Sequence, residues 1–153
     1  MLISLFGDFE IDVTLFIAKF LSMNKFELQQ RTKKFHVRII KLCESLPKNA
    51  AGWETAKQLI RSAGSVGANY RAACRGKSNV DFIYKIEVVL EEADESLYWL
   101  EVVEDAELSK GNELDNLIKE ANELVSIFNA ADKTAKQNRD QKNPKIPKSQ
   151  NQK

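Results

Sequence analysis

The stretch from Leu59 to Leu100, LIRSAGSVGANYRAACRGKSNVDFIYKIEVVLEEADESLYWL, constrains the fold of this chain more than any other. It reads as two amphipathic helices joined by a short polar turn at Arg75–Ser78, the first built from small residues and arginines, the second from carboxylates and aromatics. In the first, Ala56, Leu59, Ile60, Ala63, Val66, Gly67, Tyr70 and Ala73 recur at helical spacing and supply a buried stripe. A glycine inside a helix costs about 1 kcal/mol relative to alanine. Gly64 and Gly67, with Ala68 beside them, therefore make sense where another backbone approaches closely. Ser62, Ser65 and Asn69 share one side of the same helix, where a buried hydroxyl or amide needs a partner.

The second helix, expected from Asn79 to Asp105 with Ser78 as its cap, has two apolar stripes. Phe82, Ile86, Val89, Ala93, Leu97 and Leu100 make a core face. Tyr84, Val88, Glu95, Trp99 and Val102 repeat on nearly the opposite side, with Glu91 and Glu92 beside them. A surface helix normally has one apolar face. A second one on a chain of 153 residues marks a subunit interface, assigned here to Tyr84, Val88, Glu92, Glu95, Trp99 and Val102. Its carboxylates would meet basic groups such as Arg31, Arg38 or Arg71.

Two further helices flank this pair. Leu28, Thr32, Phe35, Ile39, Leu42 and Leu46 give a seam over about residues 26–46, ended by Pro47 and bordered by Arg31, Lys34, Arg38 and Lys41. Leu114, Leu117, Ile118, Ala121, Leu124, Val125 and Phe128 give another over about residues 113–136, after the turn signal Gly111-Asn112. Residues 137–153 are rich in amides and lysines, contain two prolines and no aromatic, and read as a disordered basic tail. Residues 1–23 fit a strand or a helix equally, and read either as an extension upstream of a natural start at Met23 or as a peripheral element. Asp8, Glu10 and Asp12 break its apolar run, which fits neither a secretory signal nor a membrane span. The sequence thus predicts an all-α, antiparallel up-down-up-down four-helix bundle over residues 24–136.

Charge is segregated along the chain although the net value is only +1. Residues 24–77 carry twelve Lys/Arg against three Asp/Glu, and residues 78–132 carry three against fifteen. The basic half either contacts nucleic acid or pairs with the acidic half. Lys33, Lys34, Arg38, Lys41, Arg71, Arg75 and Lys77 are the candidate phosphate-neutralising residues. Catalysis has little to work with. One histidine, His36, and two cysteines, Cys43 and Cys74, lack metal-ligand or nucleophile spacing and fit a reducing cytoplasm. Gly76-Lys77-Ser78 is not a phosphate loop, because Arg71 stands where its first glycine belongs and a helix precedes it. Glu91, Glu92 and Glu95 lack the Glu-x-x-His pattern of bundle metal sites, so no cofactor or metal is expected.

The runs FELQQRTKKFHVRIIKLCESLP, LIRSAGSVGANYRAACRGKS and DFIYKIEVVLEEADESLYWLE together resemble the bacterial 23S ribosomal RNA intervening-sequence proteins, over roughly residues 24–130. The resemblance implies a non-enzymatic, cytoplasmic bundle that assembles as a ring-like homopentamer. It also implies kinship with the accessory protein of diversity-generating retroelements, whose partners are reverse transcriptase and RNA. The family's helix-two motif falls on Ser65, Val66, Gly67, Ala68 and Asn69, and its helix-three motif on Glu91, Glu95, Tyr98, Trp99 and Leu100, as fold and assembly positions. Two functions follow as expectations: an RNA-associated assembly protein, or a protein-binding scaffold without nucleic-acid contact. Neither involves a membrane or a small-molecule substrate.

Overall fold

Four helices follow one another with short connections: α1 (Lys25–Glu44), α2 (Ala50–Ala73), α3 (Asn79–Asp105) and α4 (Asn112–Lys142). They form an antiparallel up-down-up-down bundle in a computed structural model that describes residues 23–142. No strand occurs among the described residues. The readings of the first 22 residues and of the last 11 lie outside them.

Side-chain caps set where the helices begin. Asn24 Oδ1 accepts from the backbone N–H groups of Phe26 and Glu27, while the Glu27 carboxylate accepts from the Asn24 N–H, a reciprocal capping box. Asn49 accepts from Gly52 N–H at 3.0 Å, so α2 starts at Ala50, ahead of the stripe that begins at Ala56. Ser78 accepts from Asp81 N–H at 3.1 Å, as the sequence predicts. The far end of α4 corrects an expectation, because residues 137–142 are helical rather than disordered. Their glutamines, arginine and lysine are good helix formers, and the first breaker is Pro144. Arg139 and Lys142 lie in the last turn, where cations complement the helix dipole.

The predicted seam of α1 is the observed one, and that of α4 holds except that Ile118 and Val125 are half-covered and Ile127 is buried, with Phe35, Ile39, Leu117, Leu124 and Phe128 fully enclosed. On α3 the core stripe holds at Ile86, Val89, Ala93 and Leu100 and differs by one residue at two positions. Ile83, Ile86, Val89, Ala93, Ser96, Leu100 and Val103 are buried, whereas Phe82 and Leu97 are only half-covered. Ser96 is tolerated there because its hydroxyl donates to the Glu92 carbonyl and meets the Ser62 hydroxyl of α2 at 3.0 Å. That contact is the buried polar pairing that the serine side of α2 demands. α2 packs extensively on both α1 and α3, and α4 on α3, whereas α1 meets α4 over a much shorter stretch.

Two glycines of α2 do opposite things. A Cβ on Gly52 would sit 1.9 Å from the Pro47 carbonyl oxygen, so the tight α1–α2 connection depends on its absence. A Cβ on Gly67 would meet Thr32 and Lys33 at 3.7–3.8 Å, which is ordinary contact. Gly52→Ala is therefore expected to lower stability by about 2 kcal/mol or more. Gly67→Ala is expected to raise it by about 0.5–1 kcal/mol through helix propensity. Urea unfolding followed by circular dichroism checks both signs.

Candidate functional site

The basic residues of α1 and α2 divide into those consumed by the bundle and those left outside it. On α1, Arg31 and Arg38 lie seven residues apart, as do Glu113 and Glu120 on α4, in reverse order along an antiparallel neighbour. Arg31 Nε donates to Glu120 at 2.7 Å and its other nitrogen reaches Glu123. Arg38 makes a two-pronged contact with Glu113 at 2.8 and 3.2 Å. On α2, Arg61 spans Glu92 and Glu95 of α3. Arg38 is therefore removed from the set of free phosphate contacts, because its guanidinium is already neutralised by its own chain. The expected acidic partners of Arg31 and Arg38 on α3 are corrected as well. Those carboxylates belong to Arg61, which the sequence reading did not single out.

These contacts shift titration. The Arg38 hydrogen bond holds the Glu113 carboxyl below the usual carboxylate range, opposed by partial burial and aided by the nearby charge of Lys41. The Arg61 hydrogen bond does the same for Glu95, which also accepts from the Trp99 indole N–H at 3.3 Å. Burial pushes the Cys43 thiol up to about 11, so it is an inert core group rather than a nucleophile.

The remaining candidates, Lys33, Lys34, Lys41, Arg71, Arg75 and Lys77, are all exposed and form no ion pair among the described residues. The fold distributes them over several places. Lys34 and Lys41 lie three residues after Arg31 and Arg38, on the α4 side of α1. Lys33 and Arg71 share a groove between α1 and α2 of about 590 Å³ with Phe26, Gln29, Gln30, His36, Gly64, Gly67 and Ala68. Arg75 and Lys77 sit in the turn that follows α2. Of the groove's other lining groups, the sequence reading marked only His36 and the small residues. Phe26, Gln29 and Gln30 were legible only as polar or peripheral positions of α1.

The second face of α3 is uncovered in part. Tyr84 is 63% exposed and Tyr98 55%. Val88, Glu92, Glu95, Trp99 and Val102 are half-buried by their own chain. Trp99 packs against the core and meets the Tyr98 ring edge-on at 5.2 Å, while Glu92 and Glu95 lie under Arg61. A second apolar area appears on the outer side of α2, where Ile60, expected in the buried stripe, is 37% exposed. There Trp53 (62% exposed) and Ile60 line a shallow groove with Ile40 and Pro47. Among the described residues no cluster of side chains could hold a metal ion, and no helix is long and apolar enough to cross a membrane.

Comparison with known proteins agrees with the bundle. The sequence model of the 23S rRNA-intervening sequence proteins matches residues 24–130. The crystal structure of a protein of unknown function from the S23 ribosomal protein family of Bacteroides thetaiotaomicron is 30% identical. It covers 72% of this chain and 99% of its own, with a TM-score of 0.66. No curated protein matches at a significant level.

Because Glu95 and Glu113 titrate below their unfolded values, their pairs stabilise the fold above the ordinary carboxylate pKa of about 4.3. That contribution is lost as pH falls through the depressed folded values. The urea midpoint at pH 3.5 is expected to lie below that at pH 6, with a flatter dependence in the Glu95→Gln, Glu113→Gln double variant.

Proposed function

We propose that this chain, which belongs to the 23S rRNA-intervening sequence protein family, is a non-enzymatic, cytoplasmic RNA-associated assembly protein whose bundles form a homo-oligomer, a pentamer by family likeness. The observation that carries this reading is the sorting of cations. Arginines that face the acidic helices are neutralised by glutamates, while the other nine cations of residues 24–77, Lys33, Lys34, Lys41, Arg71, Arg75 and Lys77 among them, stay outward without an ion partner among the described residues. The pairing alternative read from the sequence therefore accounts for Arg31, Arg38 and Arg61 but leaves a positive surplus on the surface. Repetition of that surplus in a symmetric assembly would multiply the phosphates it can neutralise.

The uncovered aromatics support a second reading, a scaffold or accessory subunit that docks a protein such as a reverse transcriptase without touching RNA. Tyr84 and Tyr98 are the kind of amphipathic side chains enriched in protein interfaces.

Filter binding of the purified protein to a structured RNA separates the two. Under the RNA reading, affinity is expected to fall by about 10³-fold or more between 50 and 200 mM salt if six or more phosphates are engaged. Absence of retention at the lower salt discards that reading and leaves the scaffold. Sedimentation tests the assembly. Tyr84→Asp, at an exposed position that the core does not need, is expected to dissociate the oligomer with helicity intact, and a wild-type chain that sediments as a monomer overturns the assembly reading.

A further inference from the structure

The groove between α1 and α2 gathers groups for which the bundle itself has no use. Its volume of about 590 Å³ lies within the roughly 300–1,000 Å³ span of small-ligand clefts. Two cations line it, Lys33 and Arg71, and no carboxylate does. Neither cation, nor the amide of Gln29 or Gln30, is engaged in a side-chain hydrogen bond among the described residues, in contrast to Arg31, Arg38 and Arg61. Two glycines of α2, Gly64 and Gly67, lie on its floor. Gly64 leaves room for the His36 imidazole, whose Cε1 and Nε2 lie 3.0 and 3.1 Å from where a Cβ would be, and that Nε2 is buried without a partner. Gly67 is the more telling residue. An alanine would fit there and favour the helix, so the fold of one copy does not explain the missing methyl. It keeps the floor flat for something from outside.

We propose that this groove is a nucleotide slot, with a phosphate held between Lys33 and Arg71 and the base laid on the Gly64–Gly67 floor beside Phe26. Two cations without a competing carboxylate suit a phosphate. Gln29 and Gln30 supply amide donors and acceptors for a base edge, and the Phe26 ring, 64% exposed at the lip, offers a stacking surface. The nucleotide is either one residue of a single-stranded RNA or a free ribonucleoside monophosphate. The strand source rests on the RNA reading above, and the free source does not.

The test titrates the full chain with 5′-AMP and with a 12-nucleotide single-stranded RNA at one salt concentration. Ala68→Leu fills the groove at unchanged charge, Arg71→Ala removes a phosphate contact, and Lys57→Ala removes an equal charge elsewhere on α2. The first two variants are expected to weaken binding about tenfold or more, and the third less than about twofold. Gly67→Ala, which the fold accommodates, raises the floor by one methyl and is expected to weaken binding several-fold even if Ala68→Leu fails to fold. Sensitivity with RNA alone supports the slot with a strand as its source. Sensitivity with AMP but no binding of the single strand supports the slot with a free nucleotide as its source. RNA binding that both groove-filling variants leave unchanged overturns the slot and spares the RNA reading, and binding of neither ligand overturns the slot while structured-RNA retention decides the RNA reading separately. An Ala68→Leu protein that sediments as a monomer where wild type is oligomeric assigns the groove to a subunit contact and also overturns the proposal.

Discussion

Arginines that cross from one helix to the glutamates of another fix how this bundle closes. Arg31 and Arg38 on α1 match Glu120 and Glu113 on α4, and Arg61 on α2 matches Glu92 and Glu95 on α3. Partly exposed pairs of this kind contribute at most about 1 kcal/mol each. Their weight lies in register. Sliding α4 against α1 by one turn would part Arg38 from Glu113 and leave Arg31 with at most one of its two carboxylates. The apolar seams hold the helices together, and the charges choose among the ways in which those seams could meet.

The architecture was largely legible because its signals are periodic. Caps, seams and the stop at Pro47 follow from local chemistry, and Ser62 announced a polar partner that proved to be Ser96. What misled were positions where composition and local context disagree. Ser96 looks wrong for a core, so the α3 stripe was drawn one residue off at Phe82 and Leu97. Residues 137–142 look like linker by composition, yet nothing in them stops a helix already under way.

The functional surface was less legible, for a physical reason. A cation in a sequence does not reveal whether a carboxylate from a distant segment will reach it. Arg38 and Lys34 look alike along α1, yet one is neutralised by α4 and the other is exposed. The same holds for the aromatic face of α3. Tyr84 and Trp99 share a stripe, but Trp99 is drawn onto the core by its neighbours while Tyr84 is not. The groove between α1 and α2 was invisible as a unit, because its walls come from positions 28 to 45 residues apart.

The brief meeting of α1 with α4 gives the molecule an unequal perimeter. Three of its sides are sealed mainly by apolar packing, and the fourth is latched mainly by guanidinium–carboxylate contacts at its rim. Dissolved ions weaken such a latch as they weaken any hold on a polyanion, although less where the pair is sheltered. Brine therefore does two jobs at once, rinsing the outer face and slackening the first helix. Breathing of that edge rises with the same solvent variable that loosens the grip on anything negative lying along it.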